Sequence, residues 1–578
     1  MFSRYFQSEL TYLRQLGQEF AEENPSLAGV FADRGGDPDV QRLLEGFAFL
    51  TARIRERIDD AVPEVVDALG QLVVPQAVRP LPACSVLQFE PNAAALRSGH
   101  VVQAGAQVGT TPVKGTSCVF RTVSDVHLLP IALGDAKLND AASHATRITV
   151  PVRNRNGLLL SDIGKLRLFL HGPMGVASTV LLWLTQHLQR VDVVVAGETH
   201  RLEGGVLPAG FLPEMSMLPW PKNAPQGLRV LQEFFTLPQK LLFADVLGFG
   251  GLPAGLTAPD FELVFTFDRP PRLPERLPSD LFRLHCVPVA NLFEVDAEPI
   301  LRTMGEEEYL VRAAGHHPHH IEVYSVDAVT GLTSTTGRRR EYGDFYDFEH
   351  LGRSRADQAF FVVRRSGSPI DNRIDSYLAV RTPADVRQSV EDEVLSMRLT
   401  CTNRVLPNEL RVGDISARTA QSPTIAKFSN ITHVSRPTRS PVGQELHWRV
   451  TAHLALNTQS LCDGTALRGM LREYNGHEET DQQLFRANAK YIESIRAVRA
   501  TSERRIIDRT PMRGLHVHVE LDEDAFSTPA EAYVFGGALD WLFLTETPLN
   551  TFHRLTVTLH PSGTVYTWQA KLGTQEVF

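Results

Sequence analysis

The densest group of potential ligands in the chain is HHPHH, which places His316, His317, His319 and His320 within one short stretch. Imidazole is a common metal ligand, and histidine-rich tracts bind zinc or nickel. Water activation on such a metal, as in a metal-dependent hydrolase, is the chemistry the tract would allow. Pro318 interrupts any helix, and the spacing matches none of the usual structural-zinc patterns. The tract therefore reads as a solvated loop leading into the strand IEVYSVDAVTG (321–331). LDEDAF sets Asp522, Glu523 and Asp524 side by side, without the spaced oxygen ligands and glycine of a calcium loop, and reads as a polar turn. The glycines of LGFGGLPAG form neither GxGxxG nor a Walker loop, and there is no GxSxG elbow. His285-Cys286 is an adjacency in sequence, which is not the geometry nucleophilic catalysis needs, and a buried structural cysteine is the commoner role. The triple arginine at 338–340 faces Glu341, Asp344, Asp347 and Glu349, giving a locally paired loop or a rim contact rather than a nucleic-acid patch. The NIT at 430–432 matches a glycan acceptor, which has meaning only in a secreted chain.

Composition narrows the class further. The 578 residues exceed one hydrophobic core, and a length prior gives about four domains. Hydrophobic content of 43% with 22% charged residues fits a soluble globular protein. The net charge of −9, from 67 acidic and 58 basic residues, is mild and argues against nucleic-acid binding, which rests on basic surface. Cys84, Cys118, Cys286, Cys401 and Cys462 stand far apart, so neither a disulfide framework nor a zinc ribbon is expected. The N-terminus lacks the apolar core of a signal peptide, and the greasiest run, 166–184, is broken by Arg167, His171, Pro173 and glycines. These features predict a cytoplasmic protein.

If chemistry has no carrier, the elements themselves become the subject, and one helix stands out. In DPDVQRLLEGFAFLTARIRERIDDAV (37–62), Val40, Leu43, Leu44, Phe47, Ile54, Ile58 and Val62 recur at three- and four-residue spacing, with Leu50 at the margin. Asp37 is suited to the N-cap and Pro38 to the first helical position. Such a stripe usually faces an internal core. Phe49 falls on the opposite face among Arg42, Glu45, Arg53 and Glu56, where it is either an ordinary surface aromatic or a second contact. A first helix spans 2–23 and a shorter one follows Pro63. Three helices in about eighty residues bury too little surface to stand alone, so this bundle is expected to complete its core against another domain or a partner.

Pro75, Pro80 and Pro82 stiffen a linker, after which short β-branched runs punctuated by Gly, Pro and Asn predict antiparallel sheet. A helix near STVLLWLTQHL is expected to pack on it. From 202 to 278 dense prolines and glycines, interleaved with apolar residues, predict ordered loops, and 337–350 a polar loop. Helices return around LRGMLREYN, at a T-x-x-Q box opening with Thr480 and Gln483, and at TPAE (528–531), before two closing strands. The expected class is α+β multidomain. An N-terminal helical assembly module with a Pro-rich linker (1–82) precedes a β-rich domain with long Pro/Gly loops (83–286), a middle β-rich domain (287–397) and a C-terminal α+β domain (398–578).

The stretches YFQSELTYLRQLGQEFAEENP, DPDVQRLLEGFAFLTARIRERIDDAVPEVVDAL, NLFEVDAEPI, YSVDAVTG, CTNRVLPNEL and LDEDAFSTPAEAYVFGGALDWLFLTETPLNTFHRLTV carry a family resemblance from one end of the chain to the other. The chain resembles TssF, also called VasA or ImpG, the large wedge subunit of the bacterial type VI secretion baseplate. The resemblance implies a structural protein that assembles with TssG in a core heteromer holding paired copies of this chain. It further implies contacts with TssK, TssE, neighbouring TssF copies, the hub and the sheath, at the cytoplasmic face of the inner membrane. The family's N-terminal helices join helices of TssG in a core bundle, and no cofactor or catalytic residue is known for it. Leu43, Phe47, Phe49, Leu50, Ile54 and Ile58 are the expected assembly-helix residues. Tyr533, Phe535, Trp541 and Phe552 are expected to pack or make contacts in the C-terminal region. A β-rich metal-dependent hydrolase using His316–His320 is the alternative that metal analysis would separate.

Overall fold

A computed structural model describes residues 6, 10–13, 39, 42–52, 70–71 and 78–573, except 93–95, 97, 140–145, 221–225, 275, 303–307, 334–336, 346–358, 369–372, 382–392, 443, 455–460 and 508. The chain divides into two compact units. One comprises Met1–Val78, Tyr346–Phe348 and Pro441–Thr451, and the other comprises the remainder.

In the first unit the described residues 10–13, 42–52 and 70–71 are helical, as the sequence predicts for all three stretches. Most of the expected bundle lies outside the described residues. A helix that the sequence reading does not anticipate, Gln444–Leu454, contributes Leu446 and Val450 to a small core with Val78.

The second unit is built from mostly antiparallel sheets. A five-stranded sheet has the order Ala426–Asn430, Cys84–Pro91, Cys286–Ala290, Val119–Thr122, Gln107–Gly109. Its strands thus come from stretches on both sides of the expected boundaries at 286 and 397. Leu87, Phe89, Phe120 and Val289 fill the core on one of its faces. A six-stranded sheet centres on Asp260–Phe267, paired with Leu188–Val195 on one side and Arg147–Asn154 on the other. An eight-stranded sheet runs from Phe293–Asp296 through Glu393–Thr402, Glu322–Thr333 and Arg339–Asp344 to Phe360–Gly367 and beyond. The polar stretch expected as a loop at 337–350 therefore contains a strand, because Val329–Leu332 offers Arg339–Tyr342 a ladder partner.

The C-terminal part is a crossover. Strand Thr510–Asp522 leads through helix Pro529–Thr545 to strand Thr551–His560, which pairs with it in parallel from Arg513↔Thr551 to Asp522↔His560. Parallel neighbours require such a connection. The helix PAEAYVFGGALDWLFLT is apolar on all sides, so it is buried all round. It crosses helix Gln226–Thr236 closely, and Gly227 permits the approach: a Cβ there would lie 2.3 Å from Trp541 O.

Two helix starts differ from expectation. Helix Gln482–Glu493 is capped by Asp481, whose Oδ1 accepts from Leu484 N at 3.0 Å, so the Thr480–Gln483 box is displaced by one residue. At Thr528 the N-cap position and Pro529 are as expected, but the Thr528 hydroxyl makes no cap bond, and Glu531 Oε2 reaches instead to Ser527 N at 3.2 Å. Within the stretch expected as loops stands helix Gln226–Thr236, with Leu228, Val230, Leu231, Phe234 and Phe235 buried. The helix at STVLLWLTQHL is Met174–Leu182, continued by one π-helical turn, Trp183–His187.

Candidate interaction surfaces

On helical residues 42–52, Ala48 and Ala52 are fully buried and Leu44 half-buried, one helical repeat apart. The large side chains face outward: Leu43 is 70% exposed, Phe47 63% and Leu50 61%. The periodicity is as the sequence reads it, but the small residues turn inward and the stripe meets solvent. Covering an exposed Leu or Phe is worth roughly 1.5–3 kcal/mol each. Phe49 is also exposed, on the other side. Ile54 and Ile58 lie outside the described residues. Trp448, on the helix that sequence reasoning missed, is 72% exposed. Its signal was present in QELHWRV, where Trp448 falls between the buried positions Leu446 and Val450.

The C-terminal aromatics are placed differently. Phe535 and Phe552 are fully buried and Tyr533 nearly so. Tyr533 stacks on Trp568 at 5.1 Å and its hydroxyl meets Thr185 Oγ1 at 2.9 Å, while Phe535 lies 5.4 Å from Phe234. Trp541 is half-buried beneath Lys571, whose Nζ sits 4.8 Å from the ring centroid. In this chain these residues pack the core.

The histidine tract does not converge on a point. His316 Nδ1 bonds Ala314 O at 2.8 Å, His317 Nδ1 accepts from His319 N at 3.3 Å, and His320 Nδ1 pairs with Thr116 Oγ1 at 2.8 Å. Among the described residues no group of three or more His, Cys, Asp or Glu is arranged to hold a metal. All five cysteines are free. His285 and Cys286 border a cleft of about 390 Å³ that also presents Asp125, His127, Lys165 and Arg167. His285 Nε2 accepts from Leu129 N at 3.1 Å, and burial lowers its pKa to about 4. Burial drives the Cys286 thiol up, and it donates to Leu284 O at 3.3 Å. A neutral imidazole spent on the backbone beside a protonated thiol is no nucleophile pair. Among the described residues no helix is long and apolar enough to cross a membrane.

Sequence reasoning missed two charged features. The first is a buried cluster on helix Gln226–Thr236. Arg229 Nη1 donates to Glu233 Oε2 at 2.8 Å, and Lys240 Nζ also reaches Glu233 Oε2 and donates to Gly210 O at 2.6 Å. Glu233 Oε1 accepts from Met217 N at 2.8 Å. All three side chains are buried, and burial lowers Lys240 to about 8 against the opposing pull of Glu233.

The second is a long ribbon, Ile495–Ile507 paired antiparallel with Thr510–Asp522. Its base is packed: Ile495, Val517, Val519 and Leu521 belong to the core. Its outer half is exposed on both faces, and Ile495–Ile507 forms the edge of its sheet. The β-branched and alternating residues of RATSERRII and RGLHVHVEL carried the signal.

Comparison with known proteins agrees with this architecture. The family described as Type VI secretion system, TssF, matches residues 1–575. The type VI secretion system component TssF1 of Pseudomonas aeruginosa is 28% identical, across 99% of this chain and 98% of that protein. A chain of a TssK-TssF-TssG baseplate subcomplex determined by cryo-electron microscopy is 29% identical with a TM-score of 0.79, covering 93% of this chain and 99% of its own. A chain of the baseplate complex from the type VI secretion system is 26% identical with a TM-score of 0.63, each covered in full. The protein belongs to the type VI secretion system TssF family.

Proposed function

We propose that the chain is a structural wedge subunit of the type VI secretion baseplate with no chemistry of its own. It assembles with TssG, in a heteromer holding paired copies of this chain, and with TssK and TssE around the hub, where it anchors sheath and tube. One solved relative comes from a TssK-TssF-TssG baseplate subcomplex and another from the baseplate complex of the type VI secretion system. The observation that carries the reading is the outward row Leu43, Phe47 and Leu50 over inward Ala48 and Ala52. A helix that buries its alanines and shows its leucines to water is shaped for a helix from outside the chain. In this role the mechanism is conformational: wedges hold the sheath extended and rearrange by rigid-body motion between alternative interfaces when contraction is triggered. The assembly stands at the cytoplasmic face of the inner membrane.

Co-expression with the TssG of the same secretion cluster, followed by mass determination, tests the proposal. A stable complex with two copies of this chain per TssG is expected. Phe47→Glu and Phe49→Glu leave the monomer folded and abolish co-purification. A folded wild-type chain that ignores TssG overturns the reading.

A further inference from the structure

We infer that the tip of the 495–522 ribbon is a docking element for an acidic protein surface, one whose carboxylates flank a small apolar hollow that receives Ile506. The register puts Arg504 directly opposite Arg513. Like charges facing across a strand pair repel and destabilise it. Elsewhere on the ribbon the arginines are matched: Arg496 with Asp522 at 2.7 Å, and Arg505 with Glu503 at 2.8 Å. Arg504 and Arg513 have no carboxylate partner among the described residues, and neither does Arg509 in the turn between the paired Ile507 and Thr510. Arg509 holds φ at 67°, a conformation that hairpin turns ordinarily give to glycine or asparagine. Arg504 and Arg513 therefore oppose each other across the outer half of the ribbon, at the expense of the isolated fold, and the turn beyond them carries Asp508 beside Arg509.

Guarding a sheet edge against unwanted pairing explains charges on an edge strand. It does not explain Arg513, which lies on the inner strand and pairs with Thr551. Two residues further along each strand, and so on the same face as Arg504 and Arg513, Ile506 lies opposite Pro511. Ile506 is 78% exposed. Phosphate backbones offer nothing to a bare aliphatic side chain, and a lone isoleucine is too little to anchor on lipid. Two unmatched guanidinium groups beside one apolar knob fit a protein with carboxylates at the rim of a hollow.

The test places the photo-crosslinking amino acid p-benzoylphenylalanine at position 506 of the full chain, in cells producing the whole secretion cluster, and identifies the linked peptide by mass spectrometry. The expected peptide carries two or more Asp or Glu close to the linked atom. Arg504→Glu combined with Arg513→Glu keeps a like-charge pair, so the ribbon folds as before, and should reduce crosslinking at least tenfold. Replacing the mapped carboxylates of the partner by Lys should restore crosslinking to that double variant. Arg513→Glu alone should raise the melting temperature of the purified chain while losing the crosslink. A neutral or basic peptide, a lipid or nucleic-acid adduct, no adduct, or crosslinking indifferent to charge reversal each overturns the inference. Co-purification with TssG from the same cells reports on the wedge reading separately, so the two can fail independently.

Discussion

Replacing Glu233 by Gln removes the carboxylate that faces two buried cations, Arg229 and Lys240, and leaves the shape of the site unchanged. Breaking a buried ionic cluster from one side costs about 3–5 kcal/mol, because the remaining charge stays out of water without compensation. Replacing Lys240 by Met acts on the other side of the balance. Arg229 and Glu233 then form a one-to-one pair, with Arg229 still held by Phe211 O at 2.8 Å and Gln226 Oε1 at 3.0 Å. Burial holds Lys240 at about 8, below its ordinary 10.5, so its ammonium disfavours the fold at neutral pH. By linkage that is about 3 kcal/mol, and losing the donor to Gly210 O costs about 1–3 kcal/mol. The two nearly cancel. Hydrogen exchange of the amides in Gln226–Thr236, read by mass spectrometry, measures local opening directly. Glu233→Gln should increase opening by roughly 10²-fold or more at about 1.4 kcal/mol per tenfold, while Lys240→Met changes it by less than about tenfold. pH gives a second reading. Between about 8 and 10.5 the folded chain binds fewer protons than the unfolded one, so stability rises with pH across that window, and Lys240→Met abolishes the rise. Equal opening in the two variants would refute the charge argument.

Gly227→Ala should destabilise the second unit by about 1–3 kcal/mol or more, since the new methyl meets the Trp541 carbonyl and Leu542 Cα rather than a side chain that can swing away; thermal melting checks it. Burial, against the pull of Arg404, raises Glu322 to about 7, so the folded state holds an extra proton from about pH 4.5 to 7 and loses stability as pH rises through that range. Glu322→Gln should flatten this slope in a pH series of melting curves. Leu43→Glu, at an exposed position, should alter the stability of the chain alone by no more than about 0.5 kcal/mol yet prevent co-purification with TssG. His316→Ala combined with His317→Ala should leave the metal content of the purified protein unchanged by elemental analysis.

Strong periodicity was legible in the sequence and weak or nonlocal signals were not. The stripe through Leu43, Phe47 and Leu50 could be read from spacing, because a 3.6-residue repeat needs no knowledge of the fold. Which face is covered could not, since Ala48 and Ala52 look neutral in any pattern. Helix Gln226–Thr236 is hidden in the sequence by the prolines and glycines around it, and nothing local marks Arg229 and Glu233 as buried beside Lys240. The C-terminal aromatics read from the sequence as packing or contact, and Trp568 and Phe234 supply the packing partners from distant stretches. The ribbon is not legible because its strands carry polar residues on both faces of the outer half, which blurs a period of two.

The place of strand Cys84–Pro91, flanked on both edges in its sheet, has a bearing on biosynthesis. One edge of the strand pairs with Cys286–Ala290, but the other waits for Ala426–Asn430, where Phe89 meets Phe428 roughly 340 residues downstream. At ~5–20 residues per second on the ribosome, that is ~20–70 s during which a strand carrying Val86, Leu87 and Phe89 stands without its second neighbour. A chain released before residue 430 never receives it. Truncated products should therefore aggregate or be degraded rather than persist as half-length subunits, so that only completed chains are available for assembly.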